Sequence, residues 1–329
     1  MKDLCVFTEN GIYCPQGGFH IDPLRPVDRA IITHAHADHA RFGSKRYLSS
    51  SLNRNILKLR LGQEIDLSTM QYGETQKING VKISFHPAGH IWGSSQIRLE
   101  YKGEIWVAGG DYKVENDGFS GVFEPVKCHT FISESTFALP VFDWQPQSTV
   151  IKEINNWWLN NQKENKTSIL CAYALGKAQR LIASLDQGIG TIYVHGAINN
   201  VNEALTASGA ILPKTKYVTS EIENTQYSGQ LVVAPSSALG TSWIKKFKPF
   251  EVASVSGWMQ IRGIKKRRNT GRGFILSDHA DWKGLINAIE NTEAERVIVN
   301  HGYSDVLSRW LHEKGYSSQS ADSLKIKES

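Results

Sequence analysis

Residues 33–40 read THAHADHA, and six consecutive positions of that stretch hold His34, His36, Asp38 and His39. Imidazole and carboxylate together suit zinc or manganese, and each ion needs about four protein or water ligands. Residues two apart on an extended turn project to the same side, so His34 and His36 can grip one ion. Asp38 and His39 then turn toward a second position. Four side chains cannot complete two shells, so further ligands must come from elsewhere in the chain. Three candidates sit where apolar runs end: His90 in HPAGHIWGSS, Asp111 after IWVAGG and His301 after VIVN. The expected division gives His34, His36 and His90 to one ion and Asp38, His39 and His301 to the other. Asp111 is expected to bridge both. Two ions roughly 3.5–4 Å apart activate water and clamp the oxygens of an in-line phosphoryl displacement. Asp22, in FHIDP, is expected to orient a ligand or the attacking water from behind. His20, His86, His129, His195 and His312 lack such company and read as structural. His86, which ends an alternating stretch before a proline, is the nearest rival to His90.

Such groups need rigid elements to hold them. VKISFH (81–86) and QIRLEY (96–101) alternate apolar and polar residues, the period of a half-buried strand. EIWVAGGD (104–111), HTFISES (129–135) and RVIVNHG (296–302) are more continuously apolar, and each carries a titratable residue at or just past its apolar run. Loops leaving the carboxyl ends of strands are where a sheet holds functional groups rigidly. The middle of the chain differs. VIKEINNWWL (150–159) has helical spacing, residues 176–185 form a second helical candidate, and IYVHG (192–196) and LVVAP (231–235) read as strands. Helices alternating with strands predict a separate α/β unit over about 140–254.

The 329 residues exceed the roughly 100–200 of one domain, so two lobes or one large α/β domain are expected. Hydrophobic residues make up 40% and charged residues 21%, enough for a core and without the signature of general disorder. A net charge of +5 permits a polyanionic partner without demanding one. Cys5, Cys14, Cys128 and Cys171 never form a CxxC, which argues against a disulfide framework or a cysteine zinc knuckle and fits a reducing cytosol. The N-terminus lacks a signal-peptide pattern and no apolar run approaches the ~20 residues of a membrane span, so a cytoplasmic protein with no membrane partner is expected.

HAHADH, the upstream Asp22, His90 in AGHIWGS, Asp111 in GGD and His301 together resemble the successive metal motifs of the metallo-β-lactamase superfamily. The resemblance implies an α/β fold, an αββα sandwich holding two divalent ions, zinc first and manganese as the alternative. Three further features resemble the β-CASP nuclease branch. Glu134 in ISEST resembles its acidic motif, His279 in SDHADW its second histidine motif, and CAYALGKAQR (171–180) a helix of its inserted domain. The implied organisation is a discontinuous metal-binding domain, 1–139 and 255–329, around an inserted α/β cap at 140–254. Chemistry gives the two new residues a task. The alkoxide leaving a cleaved phosphodiester needs a proton that a histidine can supply near neutral pH, and Glu134 would hold His279 protonated and oriented.

The run IRGIKKRRNTGRG (261–273) offers Lys265, Lys266, Arg267, Arg268 and Arg272 to the phosphates of a bound strand. Lys177 and the hydroxyls of Ser236, Ser237, Thr241 and Ser242 are weaker phosphate candidates. Trp157 and Trp158 are expected to fill the cap's core. A histidine at the last motif is typical of RNA processors in β-CASP enzymes, whereas the whole length resembles bacterial exonucleases associated with DNA ligase, and relatives labelled as messenger-RNA 3′-end processing factors. The expectation is a DNA exonuclease in repair, with an RNA endo- or exonuclease as alternative and DNA ligase or helicase as possible protein partners. A glyoxalase II-like hydrolase would not need Glu134, SDHADW or a cap, and a non-catalytic scaffold would have lost ligands.

Overall fold

A computed structural model describes residues 3–221, 223–261 and 271–326. The run Lys265, Lys266, Arg267 and Arg268 lies outside the described residues. The chain divides into two units, 1–143 with 279–329, and 144–278.

The first unit opens with β1 (Val6–Thr8), β2 (Gly11–Cys14), β3 (Phe19–Ile21), β4 (Arg29–Ile32), β5 (Arg46–Ser50) and β6 (Leu67–Met70). It continues with β7 (Thr75–Ile78), β8 (Val81–Pro87), β9 (Ser95–Tyr101), β10 (Glu104–Ala108) and β11 (Thr130–Glu134). The second unit carries β12 (Thr167–Cys171), β13 (Ile192–Val194), β14 (Lys216–Tyr217), β15 (Leu231–Ala234), β16 (Phe250–Val255) and β17 (Arg272–Phe274). After the return come β18 (Arg296–Asn300), β19 (Ser317–Ser320) and β20 (Lys325–Ile326). The helices are α1 (Arg54–Leu61), α2 (Gln147–Lys163), α3 (Lys177–Ser184), α4 (Gly196–Ala207), α5 (Trp282–Asn291) and α6 (Ser304–Glu313).

In the first unit two sheets face each other, ordered β20-β1-β2-β3-β4-β5-β6 and β19-β18-β11-β10-β9-β8-β7. Phe7, Phe19, Ile31 and Leu48 from one sheet share a core with Ile83, Phe85, Ile97, Trp106, Ile132 and Ile298 from the other. Period-2 alternation sends the remaining apolar positions outward. Val107, Phe131, Val297 and Val299 pack under Leu285, Ala288 and Ile289 of α5 and Leu307 and Leu311 of α6. Strands apolar on both faces are thus buried on both, which is why β10, β11 and β18 read as continuous apolar runs.

The second unit is a six-stranded sheet, β14-β13-β15-β12-β16-β17, in which the paired strands run parallel. One face packs Leu170, Val194, Val233 and Ala253 under α2 and α3, with Trp157 and Trp158 in the same core. The other holds Ile169, Cys171, Val232, Tyr227 and Phe247. The return to the first unit comes later than the expected boundary at 254. Arg272, Gly273 and Phe274 add to this sheet against Ala253, Ser254 and Val255, and Phe274 enters its core. The stretch 255–278 is corrected accordingly to the inserted unit. A strand of three residues with a glycine at its centre gives no periodicity to read.

Trp158 is fully buried and its indole N–H donates to the Gly229 carbonyl at 3.1 Å. Trp158→Ala should lose about 3–5 kcal/mol of stability through cavity formation, read from a urea unfolding curve.

Candidate metal centre

β4 delivers the histidine motif. Its apolar residues Ala30, Ile31 and Ile32 are fully buried, and the chain then leaves the sheet at Thr33. His34 Nε2 lies 3.1 Å from His36 Nδ1, and His90 Nε2 lies 3.1 Å from the same atom. Asp111 Oδ2 is 3.6 Å from His34 Nε2 and 3.7 Å from His90 Nε2. One ligand atom from each of these four residues lies within 4.8 Å of all the others. A tetrahedral shell with bonds of about 2.0–2.2 Å separates its ligand atoms by about 3.3–3.6 Å. The quartet therefore fits a single divalent ion.

The same Asp111 oxygen is 3.4 Å from His39 Nε2, so one carboxylate reaches both halves of the centre. Around His39 stand Asp38, with Oδ2 at 3.8 Å, and the His301 ring, with centroids 5.5 Å apart. This second set is more open than the first, since Asp38 and His301 are exposed while His34 and His90 are buried.

Tight backbone makes these approaches possible. Gly110 has φ +59°, and a Cβ there would sit 2.9 Å from the Thr33 Cβ. His301 itself has φ +58°, and Gly302 follows at φ +65° with space for a Cβ closed by the Ser135 carbonyl at 2.4 Å. Tyr303 N donates to that carbonyl at 3.0 Å, and the Ser135 hydroxyl donates to the His301 carbonyl. Parallel pairing of β11 with β18, Glu134 opposite Asn300, brings residues more than 160 apart in sequence to one edge.

Asp22 stands behind His39. Its Oδ2 lies 2.7 Å from His39 Nδ1, its Oδ1 accepts the Thr33 N–H at 2.8 Å, and the Thr33 hydroxyl donates to Oδ2. With Nδ1 tied to a carboxylate, Nε2 is the nitrogen left to face Asp111. Nothing in the sequence alone assigns Thr33 a role. Its place next to the motif was visible, but only the fold reveals the carboxylate it orients.

Glu134, 2% exposed, receives the Tyr112 N–H at 2.8 Å and meets His279 Nδ1 with both oxygens at 2.9 Å. Ala280 N donates to the Tyr112 carbonyl at 2.8 Å, and Asp281 caps α5 by accepting the Gly284 N–H at 2.8 Å. The residue after Asp111 thus locates the Glu134–His279 pair through its N–H and its carbonyl. One ligand atom each from Asp111, Glu134 and His279 also lies within 4.8 Å of the other two. The His90 and His279 rings are 4.5 Å apart between centroids.

Charge states follow from the packing. Burial, reinforced by the neighbouring His39, holds His34 well below the usual histidine range, so it is neutral and able to ligate. For His39 burial works the same way but is outweighed by the Asp111 and Asp22 carboxylates, which push it well above that range. Burial would raise Asp111, yet His39, His279 and His34 together hold it well below the usual carboxylate range.

Other expected site residues lie in the second unit. Lys177 is 3% exposed, and its Nζ is 2.7 Å from Asp278 Oδ2, while Arg180 Nη1 is 3.1 Å from Asp278 Oδ1. The phosphate contact expected of Lys177 is corrected to an internal ion pair, because a buried ammonium requires a countercharge. Arg272 is exposed, its guanidinium 4.9 Å from the Phe274 ring centroid. Ser236, Ser237, Thr241 and Ser242 are exposed around two short 3-10 turns. Of the remaining histidines, His86 meets Ser84 Oγ at 3.0 Å, His129 accepts the Ile105 N–H at 3.0 Å and His195 accepts the Ala197 N–H at 3.1 Å.

No family model matches the chain. It is 26% identical over 94% of its length to a probable DNA ligase of Opitutus terrae, of which it spans 30%. It is 24% identical over 56% of its length to endoribonuclease YSH1 of Yarrowia lipolytica, of which it spans 27%. The chain thus covers about a third or less of these curated relatives. A solved structure, a protein of unknown function from Enterococcus faecalis V583, superposes with a TM-score of 0.61 over 92% of this chain and 79% of that one, at 11% identity, a likeness of fold alone. The chain is an α/β protein that resembles the β-CASP nucleases of the metallo-β-lactamase superfamily, and it carries a His/Asp group able to bind a metal ion. Among the described residues no helix is long and apolar enough to cross a membrane.

Because the His39 pKa is raised, its imidazole keeps a proton until the pH climbs above the ordinary histidine range, and a divalent ion must displace it. Zinc affinity should therefore rise with pH through and beyond about 6.5. Titration calorimetry in buffers of different ionisation enthalpy should show proton release on binding, reduced in Asp22→Asn.

Proposed function

We propose that the protein is a metal-dependent nuclease that hydrolyses phosphodiester bonds of nucleic acid, acting as a DNA exonuclease in repair. The observation that carries the reading is the quartet His34, His36, His90 and Asp111 standing beside a buried Glu134 paired with His279. A thioester hydrolase using the quartet alone would have no task for that pair. On this reading the first unit is a metallo-β-lactamase sandwich and the second a β-CASP cap. His34, His36, His90 and Asp111 hold one ion, Asp38, His39, His301 and Asp111 the other, with zinc first and manganese the alternative. When bound, the two ions supply Lewis acidity and an activated water.

The chain's own residues do the rest. Asp22 fixes His39 by accepting from Nδ1, so that Nε2 faces the centre. Glu134 accepts from His279 Nδ1, which leaves Nε2 to donate a proton to the leaving oxygen. Arg272 and the segment Lys265 to Arg268 remain candidates for phosphate contact, and DNA ligase or a helicase for protein partners. DNA is favoured because the likeness to a probable DNA ligase spans 94% of the chain. RNA is the second reading, supported by the likeness to an endoribonuclease and by a histidine at position 301.

The test is incubation of zinc- or manganese-loaded protein with 5′- and 3′-labelled single-stranded DNA, duplex DNA and RNA. Chelator-sensitive shortening of DNA from one end is expected; faster cleavage of RNA would move the reading to RNA processing, and no cleavage of any polymer would end it. Asp111→Asn should lose metal and activity together. His279→Ala should lower turnover roughly 100- to 10,000-fold while both ions stay bound, checked by metal analysis alongside kinetics. Equal metal loss in both variants would remove the proton-donor role of His279.

A further inference from the structure

The metal centre opens into a cavity of about 360 Å³ lined by Asp22, Asp38, His39 and His301, and Arg41 lines it as well. The other lysine or arginine on that lining, Lys325, is paired with Asp322 at 2.6 Å. Among the described residues Arg41 has no carboxylate partner. Next to it Phe42 leaves 72% of its surface exposed, so its ring gains little from the fold. The turn that carries them is nonetheless fixed. Tyr47, 2% exposed, donates its hydroxyl to the Arg41 carbonyl at 2.8 Å and accepts the Ser44 N–H at 2.9 Å. Upstream, the Ala40 N–H donates to the His36 carbonyl at 2.8 Å. Arg60, on α1, lies within electrostatic reach of Asp38, which lines the same cavity.

We propose that Arg41 and Phe42 form a nucleotide subsite flanking the metal centre, Arg41 taking a phosphate and Phe42 stacking on the base of a single-stranded nucleic acid. The inference rests on the nuclease reading for its choice of ligand. A guanidinium matches phosphate geometry through paired N–H donors, and an aromatic face accepts any base. The two residues are consecutive in the chain, one basic and one aromatic, as phosphate and base are within one nucleotide. A protein partner docking on Phe42 alone would leave Arg41, inside the cavity lining, without a role. Preorganisation by Tyr47 spares the bound state the ordering of a loose loop.

The test measures anisotropy of a labelled single-stranded phosphorothioate oligonucleotide, which resists turnover, with zinc-loaded wild type, Phe42→Ala, Phe42→Tyr and Arg41→Gln. An abasic oligonucleotide of the same length is run in parallel. Phe42→Ala should bind the normal strand about tenfold more weakly, Phe42→Tyr like wild type, and Phe42→Ala and wild type should bind the abasic strand alike. Arg41→Gln should flatten the slope of log affinity against log salt by about 0.7. Unchanged affinity in Phe42→Ala, or the same loss on the abasic strand, overturns the stack and points to a docking or structural role for the ring. Hydrolysis of the ordinary oligonucleotide is scored separately. Binding with the Phe42 effect but no hydrolysis overturns the nuclease reading and leaves the subsite. Hydrolysis without the Phe42 effect overturns the subsite alone, and no binding at all overturns both.

Discussion

The Asp111 carboxylate, 6% exposed, has one oxygen within 3.7 Å of nitrogens on His34, His39 and His90. Burying a carboxylate costs several kcal/mol unless positive charge surrounds it, and a ring of imidazoles meets that need only if a proton or a cation is shared among them. Much of the first unit serves this concentration of polar groups. β4 ends at Ile32 so that the histidine motif leaves the sheet where the core stops. β10 is followed by two glycines so that the backbone at Gly110 can pass close to Thr33 on its way to Asp111, and β11 and β18 end in register so that Glu134 and His301 share an edge.

Around that ring the structure separates two kinds of histidine. His34 and His90 are both buried, and burial with the neighbouring His39 holds His34 well below the usual histidine range, the condition of a neutral ligand. His39 and His279 each face a carboxylate at Nδ1, Asp22 and Glu134 respectively. The same device has different consequences because the other nitrogens face different surroundings. His39 Nε2 faces the Asp111 carboxylate, while the His279 side chain is 20% exposed. Tyr112 connects the two functions, since it follows Asp111 in the chain and its amide holds Glu134.

The second unit solves a simpler problem. A parallel sheet apolar on both faces needs cover on both, and α2 with α3 supplies one side while Tyr227 and Phe247 supply the other. Its buried charges are matched internally, Lys177 and Arg180 on Asp278. That pairing explains why a lysine inside a helix that reads as a phosphate candidate faces inward. Asp278 lies one residue before His279, too far along the sequence from Lys177 for any local pattern to link them.

Sequence alone determined which residues could ligate and where the strands that carry them run. HAHADH is dense enough that spacing indicates metal chemistry, and period-2 or continuous apolar runs mark β8 to β11 and β18, because side-chain alternation is a local property of the backbone. Tertiary structure decided what depends on contacts between distant segments. It decided that Asp22 backs His39, that the return from the inserted unit waits for β17, and that Lys177 is an ion-pair partner. It also set the Cys5 and Cys14 side chains against each other, as free thiols buried in the core. The physical reason is common to all four. Hydrogen bonds, ion pairs and strand pairings act through space over a few ångströms, and the order of residues along a chain does not record which of them the fold will bring that close.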